Sequence, residues 1–356
     1  MKRIGYLYEE VVSFENCRDA ILEASKGKKK RGYVQAVLAD LDFYARRLSR
    51  MMQSGKFLSP YTPKTIVDKS SQKKREILIP RFFPDQCAHH AIVRIINPYI
   101  LKSSHYWSCA NIRRRGIRRA VIGTMRATRK TKRKLYCLKL DIAKYYPSID
   151  HDILKEQLRR KFKDEKLLSL IDKVIDSCAV GVPIGNYTSP VFGEQYLQAN
   201  DHAITEKMRP VKLIRYADDM VLIDTNKWRL RKMRALIFEW AGRLRLRIKK
   251  DWQIFRIYNG KCGRKIDFAG KCFGIGFNTI RKRIALSVMR QSRRIQRRQQ
   301  EGRLVSLKMA SGFLSRCGCV RFSRSLGFSI KYIQPININN LKGVVRFESY
   351  RQLYST

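Results

Sequence analysis

The sequence predicts an α+β fold, and three observations carry that prediction. Apolar residues recur at three- and four-residue spacing through the N-terminal stretch, which is the periodicity of helices. Two strand-like apolar runs, 135–146 and 211–223, lie mid-chain, and each carries aspartate. From Arg281, the run RKRIALSVMRQSRRIQRRQQEGR holds no proline or interior glycine and ends at Glu301-Gly302, as a long basic helix would.

Composition narrows the function. The 356 residues suffice for a sizeable core, and 44% hydrophobic with 10% aromatic residues is the make-up of a folded chain. Against 29 Asp and Glu stand 76 Lys and Arg, a formal net charge of +47. Such a field attracts polyanions, nucleic acid foremost. An anionic membrane is the rival, but no apolar run reaches the roughly 18 residues that a span requires. Glu9 and Glu10 stand where a signal peptide needs its apolar stretch, so a soluble, cytoplasmic chain is expected. The nine cysteines are odd in number, scattered and without C-x2-C pairs, so reduced and mostly buried thiols are expected.

In chain order, helices are expected near 14–26 and over 33–54, where Val34, Val37, Leu38, Leu41, Phe43 and Leu48 mark the apolar face. Ser59-Pro60-Tyr61-Thr62-Pro63 is a turn. The next segment, KTIVDKSSQKKREILIP, reads as a hairpin whose β-branched pieces flank a basic tip at Ser70-Ser71. A helix over 85–101 and a basic turn, Arg113-Arg114-Arg115-Gly116, lead into a further helix. Adjacent His89 and His90 point to different faces of their helix, which favours packing over metal binding. From Arg281 to Thr356 there are 17 Lys and Arg against 2 acidic residues, and eight of the basic ones fall within 281–298. Phosphate contact is the reading for Arg290, Arg293, Arg294 and Arg297, and for Arg113 and Arg114 at the basic turn.

The chemistry is expected at the aspartates. Leu135-Tyr-Cys-Leu-Lys-Leu-Asp141 and Val211-Lys-Leu-Ile-Arg-Tyr216-Ala-Asp218-Asp219-Met-Val-Leu-Ile223 put carboxylates inside apolar strand runs. Strand interiors disfavour Asp, and an unpaired buried carboxylate costs several kcal/mol or loses its charge. One Asp at a strand end and two in a hairpin turn make sense together if divalent cations neutralise them. Hard oxygen ligands suit Mg²⁺, with Mn²⁺ as a substitute. Two such ions suit nucleotidyl transfer. A bare Asp-Asp pair could instead serve only as a tight turn, with Asp141 capping the helix that follows. The apolar flanks, and the partner Asp141 upstream, favour the chemical reading.

These residues resemble the palm of a reverse transcriptase. Tyr216-Ala-Asp-Asp219 in a hairpin, Leu140-Asp141-Ile-x-Lys-Tyr-Tyr-x-x-Ile149 before it, and Gly181-Val-Pro-Ile-Gly-Asn-Tyr-Thr-Ser-Pro190 between them match that family in order and spacing. Lys73-Lys74-Arg75-Glu-Ile resembles its fingers hairpin and Ile266-Asp-Phe-Ala-Gly270 its primer-grip turn, so the likeness covers about 10–300. The resemblance implies a right-hand polymerase: an N-terminal helical extension over 1–60, fingers over 61–134, a palm over 135–280 built as a mostly antiparallel sheet backed by helices, and a basic helical thumb and tail over 281–356. It implies that Asp141 and Asp218 bind both metals, with Asp219 close by and Ile142 lending its carbonyl. Tyr146 falls where the family sets a ring against the sugar, excluding a 2′-hydroxyl by shape. Arg75, with Lys73 or Lys74, would grip the triphosphate. Lys249 or Lys250 would assist departure of pyrophosphate.

Ile184-Gly185-Asn186 resembles, more narrowly, the reverse transcriptases of diversity-generating retroelements, bacterial or phage. Many reverse transcriptases carry Gln where Ile184 stands. A branched apolar side chain gives shape support but no hydrogen bond, so a mismatch loses less relative to a correct pair. That branch implies copying of a template-repeat RNA with adenine-directed errors, and a small basic helical-bundle protein as partner. Template RNA, the cDNA or its primer, and dNTPs would complete the partners, in a bacterial cytoplasm. Ser189-Pro190 is shared with group II intron enzymes, which leaves an intron-, retron- or phage-defence-type enzyme of ordinary fidelity open. A catalytically idle RNA-binding scaffold is the reading of another class.

Overall fold

The chain opens with four helices, α1 (Tyr8–Val12), α2 (Phe14–Ser25), α3 (Gly32–Ala39) and α4 (Leu41–Gln53). The computed structural model describes residues 3–67, 74–320 and 323–354, with side chains described as far as residue 346. The single helix expected over 33–54 is two. Asp40 leaves the helical region at φ −128° and ψ 62°, and its carboxylate accepts from Phe43 N at 3.3 Å, capping α4. The break re-phases the second helix. Val34, Val37 and Leu48 are buried as expected, but Phe43 is 53% exposed.

Strands β1 (Thr62–Val67) and β2 (Lys74–Ile79) form the expected hairpin as a sheet of their own. Its tip, Ser70-Ser71, and Lys73 lie outside the described residues. A buried carboxylate closes the hairpin's base: Asp85 accepts from Ser59 N at 2.7 Å and from Arg81 N at 2.9 Å, so both strands leave the body from one point. Asp85 belongs to a helical turn, Phe82–Gln86, that leads into α5 (Cys87–Lys102). On α5, His89 is fully buried and His90 stacks on Tyr187 at 3.7 Å, a packing role for both. Next, α6 (Gly116–Ala127) follows the basic turn, where Arg114 and Gly116 take φ of 65° and 60°.

Strand β3 (Tyr136–Asp141) begins the central sheet. Helices α7 (His151–Lys161), α8 (Glu165–Asp176) and α9 (Ser189–Met208) separate it from the hairpin β4 (Lys212–Tyr216) and β5 (Asp219–Asp224). After α10 (Lys227–Arg243), β6 (Gln253–Arg256) completes a sheet of order β4-β5-β3-β6, antiparallel throughout. Both faces are covered. Leu138, Leu140, Leu213, Met220 and Leu222 pack with Leu230, Met233 and Ile237 of α10 and Ile204 of α9. Cys137, Ile214, Val221 and Ile223 pack with Ala120 and Val121 of α6 and with Ile266, Phe268 and Phe273. This double burial is why β5 reads as a continuous apolar run rather than an alternation.

Ile266, Phe268 and Phe273 belong to a second antiparallel sheet, β7 (Ile266–Phe268), β8 (Lys271–Gly274) and β9 (Phe277–Ile280). Helices α11 (Lys282–Gln300), α12 (Leu307–Val320), α13 (Leu326–Tyr332) and α14 (Ile338–Tyr354) close the chain. They carry their own core, with Val288, Ile295, Phe313, Ile336 and Leu341 in it. The N-terminal helices instead share one core with α5, α7, α8 and α9. Among the described residues no helix is long and apolar enough to cross a membrane. The nine cysteines are free, five of them buried, while Cys262 and Cys319 are exposed.

Candidate active site

Register brings the aspartates together. Asp141, the last residue of β3, pairs directly with Asp219, the first of β5, and Tyr216 pairs with Asp219 across the tight turn Ala217-Asp218. Ala217 holds φ +56° to make that turn. The backbone then ties the next segments on. Ile142 N donates to Asp218 O at 3.3 Å, and Lys249 N donates to Asp141 O at 2.9 Å. Lys249 Nζ lies 2.5 Å from Asp141 Oδ1, which separates it from its neighbour Lys250 as the lysine at the site. A cleft of about 260 Å³ beside Asp141 is lined also by Lys139, Asp251, Arg264 and Asp267.

The electrostatics are those of a site short of positive charge. Burial, and then the field of Asp141, pushes the Asp218 carboxyl up to about 6. Burial raises Asp219 to about 7; Lys139 opposes this, while Asp141 and Asp218 add to it. Burial works against the Lys249 ammonium, but its hydrogen bond to Asp141 and the nearby carboxylates outweigh that and raise its pKa. Asp219 Oδ1 is buried without a hydrogen-bond partner. These donors fit a hard divalent cation, since an orphaned carboxylate oxygen and mutually repelling acids are what such an ion would relieve. Among the described residues no group of three or more His, Cys, Asp or Glu is arranged to hold an ion, so the metal site expected at Asp141, Asp218 and Asp219 is not a preformed cage. Magnesium seldom needs one, because one or two carboxylates, water and substrate phosphates complete its shell.

Two tyrosines adjoin the carboxylates. Tyr146 is half-buried, feels the charge of Asp218, and leans on Tyr145 with ring centroids 5.3 Å apart. Burial pushes the Tyr146 phenol up to about 12. Tyr145 is buried and donates its hydroxyl to Gly193 O at 2.5 Å. A Cβ on Gly193 would come within 3.1 Å of Tyr146 and 3.2 Å of Tyr145, so glycine there lets both rings close on α9. The loop before α9 docks on the same segment: Val182 N donates to Tyr146 O at 2.9 Å. A side chain at Gly181 would meet the Pro147 backbone at 2.5 Å. Beyond it, Ile184 is half-buried and Gly185 is exposed at φ +104°.

The other expected residues lie outside this constellation. Lys74 and Arg75 are exposed on β2, paired across to Val67 and Ile66 in the separate hairpin sheet. Arg113 and Arg114 are exposed on a turn fastened to β4 through Arg215 N to Trp107 O at 3.0 Å and Cys109 N to Arg215 O at 2.9 Å. Arg290, Arg293, Arg294 and Arg297 share the outer face of α11, opposite buried Val288, Ser292 and Ile295.

A buried polar cluster behind the turn was not foreseen. Arg215, 1% exposed, pairs through Nε with Asp201 Oδ2 at 2.7 Å and through Nη2 with Glu194 Oε2 at 2.8 Å. Ser108 Oγ donates to the same Glu194 oxygen at 2.6 Å. Burial opposes the arginine's charge, yet Asp201 and Glu194 prevail and raise its pKa. In a chain with 76 basic residues one more arginine carries no signal. The available sign was on α9, where Glu194 and Asp201, seven apart on one helical face, sit among buried neighbours.

The reverse transcriptase (RNA-dependent DNA polymerase) family matches residues 66–255, a stretch that holds the three aspartates, the 181–190 loop and Lys249. It stops short of the 266–270 turn and of α11. No curated protein matches the chain. Among solved structures, apo telomerase from Candida tropicalis superposes at a TM-score of 0.53 with 14% identity, over 85% of this chain and 59% of that one. A form of it truncated from its C-terminal domain gives a TM-score of 0.49 with 16% identity, over 70% and 67%. At such identities the likeness is one of fold: helices packed on antiparallel sheets, in a fingers, palm and thumb arrangement.

Proposed function

The chain belongs to the reverse transcriptase (RNA-dependent DNA polymerase) family, and from that premise we propose that it is an RNA-directed DNA polymerase using two-metal nucleotidyl transfer. The observation that carries the reading is the meeting of Asp141, Asp218 and Asp219 at one hairpin turn, with burial holding the latter two above the ordinary carboxylate range. Those side chains and the Ile142 carbonyl would hold Mg²⁺ or Mn²⁺, which supplies charge neutralisation for the attacking and leaving oxygens. Lys249, paired with Asp141, would assist departure of pyrophosphate. The Tyr146 ring, backed by Tyr145 and Gly193, would exclude a 2′-hydroxyl. Ile184 and Gly185 would support the nascent pair, and Lys74 with Arg75 would close on the triphosphate from the fingers.

The division into extension (1–60), fingers (61–134), palm (135–280) and thumb (281–356) is part of this proposal. So are phosphate contacts at Arg113, Arg114, Arg290, Arg293, Arg294 and Arg297, with template RNA and cDNA or primer as partners. At the level of branch, the family match supports the general reading, shared with intron, retron and phage-defence enzymes of ordinary fidelity. The diversity-generating reading, with adenine-directed errors, a small basic helical-bundle partner and a bacterial cytoplasm, rests on Ile184-Gly185-Asn186.

Primer extension on a defined RNA template with Mg²⁺ and dNTPs tests both levels, with the cDNA sequenced. Wild type should yield cDNA, and Asp218→Asn should yield none while still binding RNA. Activity surviving in Asp218→Asn would overturn the polymerase site, and no cDNA from wild type would favour the scaffold. Errors concentrated opposite template adenines would select the diversity-generating branch; accurate cDNA would select its alternative.

A further inference from the structure

Arg215 has the largest of the fully buried side chains, and it lies on β4 just ahead of the aspartate turn. Its guanidinium is engaged on three sides. Besides Asp201 and Glu194, it donates through Nη1 to the carbonyl of Ala217 at 3.2 Å. Ala217 is the residue held at φ +56°, a conformation that an L side chain adopts only against a steric cost, and it directly precedes Asp218. Glu194 in turn follows Gly193, whose carbonyl receives the Tyr145 hydroxyl. One fork of donors therefore grips the aspartate turn from behind, through a helix that also seats the tyrosine pair.

We propose that Arg215, clamped between Glu194 and Asp201, is a positioning residue that pins the Ala217-Asp218 turn and so sets Asp218 and Asp219 against Asp141. The inference rests on the polymerase reading above. Stability alone is a weak reason for such a cluster, since a buried ion network often returns no more than its desolvation costs. Here Glu194 Oε1 and Asp201 Oδ1 remain buried without hydrogen-bond partners, so the cluster is poorly built as a stabiliser. What arginine alone provides is the planar fork that reaches two carboxylates and a carbonyl at once. A lysine ammonium, a single point charge, cannot span all three.

Two variants separate positioning from folding: Arg215→Lys, and the charge-free combination Arg215→Met with Glu194→Gln and Asp201→Asn. Each is measured for melting temperature, for kcat and KM with dNTP on a primer–template, and for Mn²⁺ affinity by electron paramagnetic resonance of the free ion. Arg215→Lys should keep cooperative melting and its KM, and lose about 10- to 100-fold in kcat, the cost of a misplacement near 1 Å. Its Mn²⁺ affinity should fall as well. The charge-free combination should recover the wild-type melting temperature without recovering kcat or Mn²⁺ affinity.

Recovery of kcat and Mn²⁺ affinity together with melting temperature would overturn the proposal and leave Arg215 a purely structural residue. So would wild-type values of both in Arg215→Lys. Should Arg215→Lys fail to fold, the charge-free combination decides. A wild-type protein that makes no cDNA would sink the polymerase reading, while the Mn²⁺ comparison would still judge Arg215.

Discussion

Two acidic clusters occupy opposite faces of one hairpin, and the fold treats them differently. Behind the β4–β5 turn, Glu194 and Asp201 close on a single arginine at 2.8 and 2.7 Å. In front of it, among the described residues, Asp141, Asp218 and Asp219 share one ion pair, that of Asp141 with Lys249. The strand alternation forces the division: Arg215 pairs with Met220 and faces α9, so Asp219 next to it must face the other way. One cluster takes its cation from the chain itself, although two carboxylates share it and burial still raises Asp201 to about 6. The other sets three carboxylates beside one lysine next to a cleft, a deficit that the proposed divalent cation would relieve.

The largest effect should come from the incomplete cluster. Removing divalent cations with EDTA, or Asp141→Asn, should lower nucleotide incorporation by about three orders of magnitude, from several kcal/mol of lost charge stabilisation. RNA binding, followed by filter retention, should persist. Incorporation unaffected by chelation would end the contrast.

In the Arg215 cluster, loss of the cation should instead destabilise the fold. Arg215→Met alone strands two buried carboxylates and should cost about 3–5 kcal/mol in a urea titration. A loss under about 1 kcal/mol would mean that Glu194 and Asp201 are not held as ions.

Asp219→Asn should have the opposite sign in the metal-free protein. The folded Asp219 carboxyl titrates near 7 against an ordinary 3.8, so the folded state binds more protons than the unfolded one between those values. Its ionisation therefore costs nothing at lower pH and destabilises the fold increasingly as pH climbs to about 7. The variant should melt with wild type near pH 4 and above it near pH 8. Equal melting at both would show that Asp219 is not short of a cation.

The smallest effect lies farthest from both clusters. Replacing Arg294 by Ala on the outer face of α11 should weaken RNA binding and reduce the slope of log affinity against log salt by about 1. An unchanged slope would remove that face from the phosphate track.

Much of the fold was legible because its signals are local. The β-branched pieces around a polar tip specify the first hairpin, and the glycine-free basic run specifies α11, which ends at Gln300 with Gly302 at φ +66°. At Asp40 local reading failed, since a capping side chain looks like any polar residue in a helical pattern. The aspartates were visible because acids are rare inside apolar runs, and the family match contains all three.

By itself, then, the sequence determined the α+β class, the hairpin that presents Asp218 and Asp219, and the strong excess of basic charge. Each depends on periodicity or composition within a short stretch. Only tertiary structure decided which lysine meets Asp141, that Gly193 must be small for Tyr145 and Tyr146 to close on α9, and that Arg215 belongs to Glu194 and Asp201. Those outcomes depend on register and burial between distant segments. A charge in sequence has no partner until folding removes the water around it.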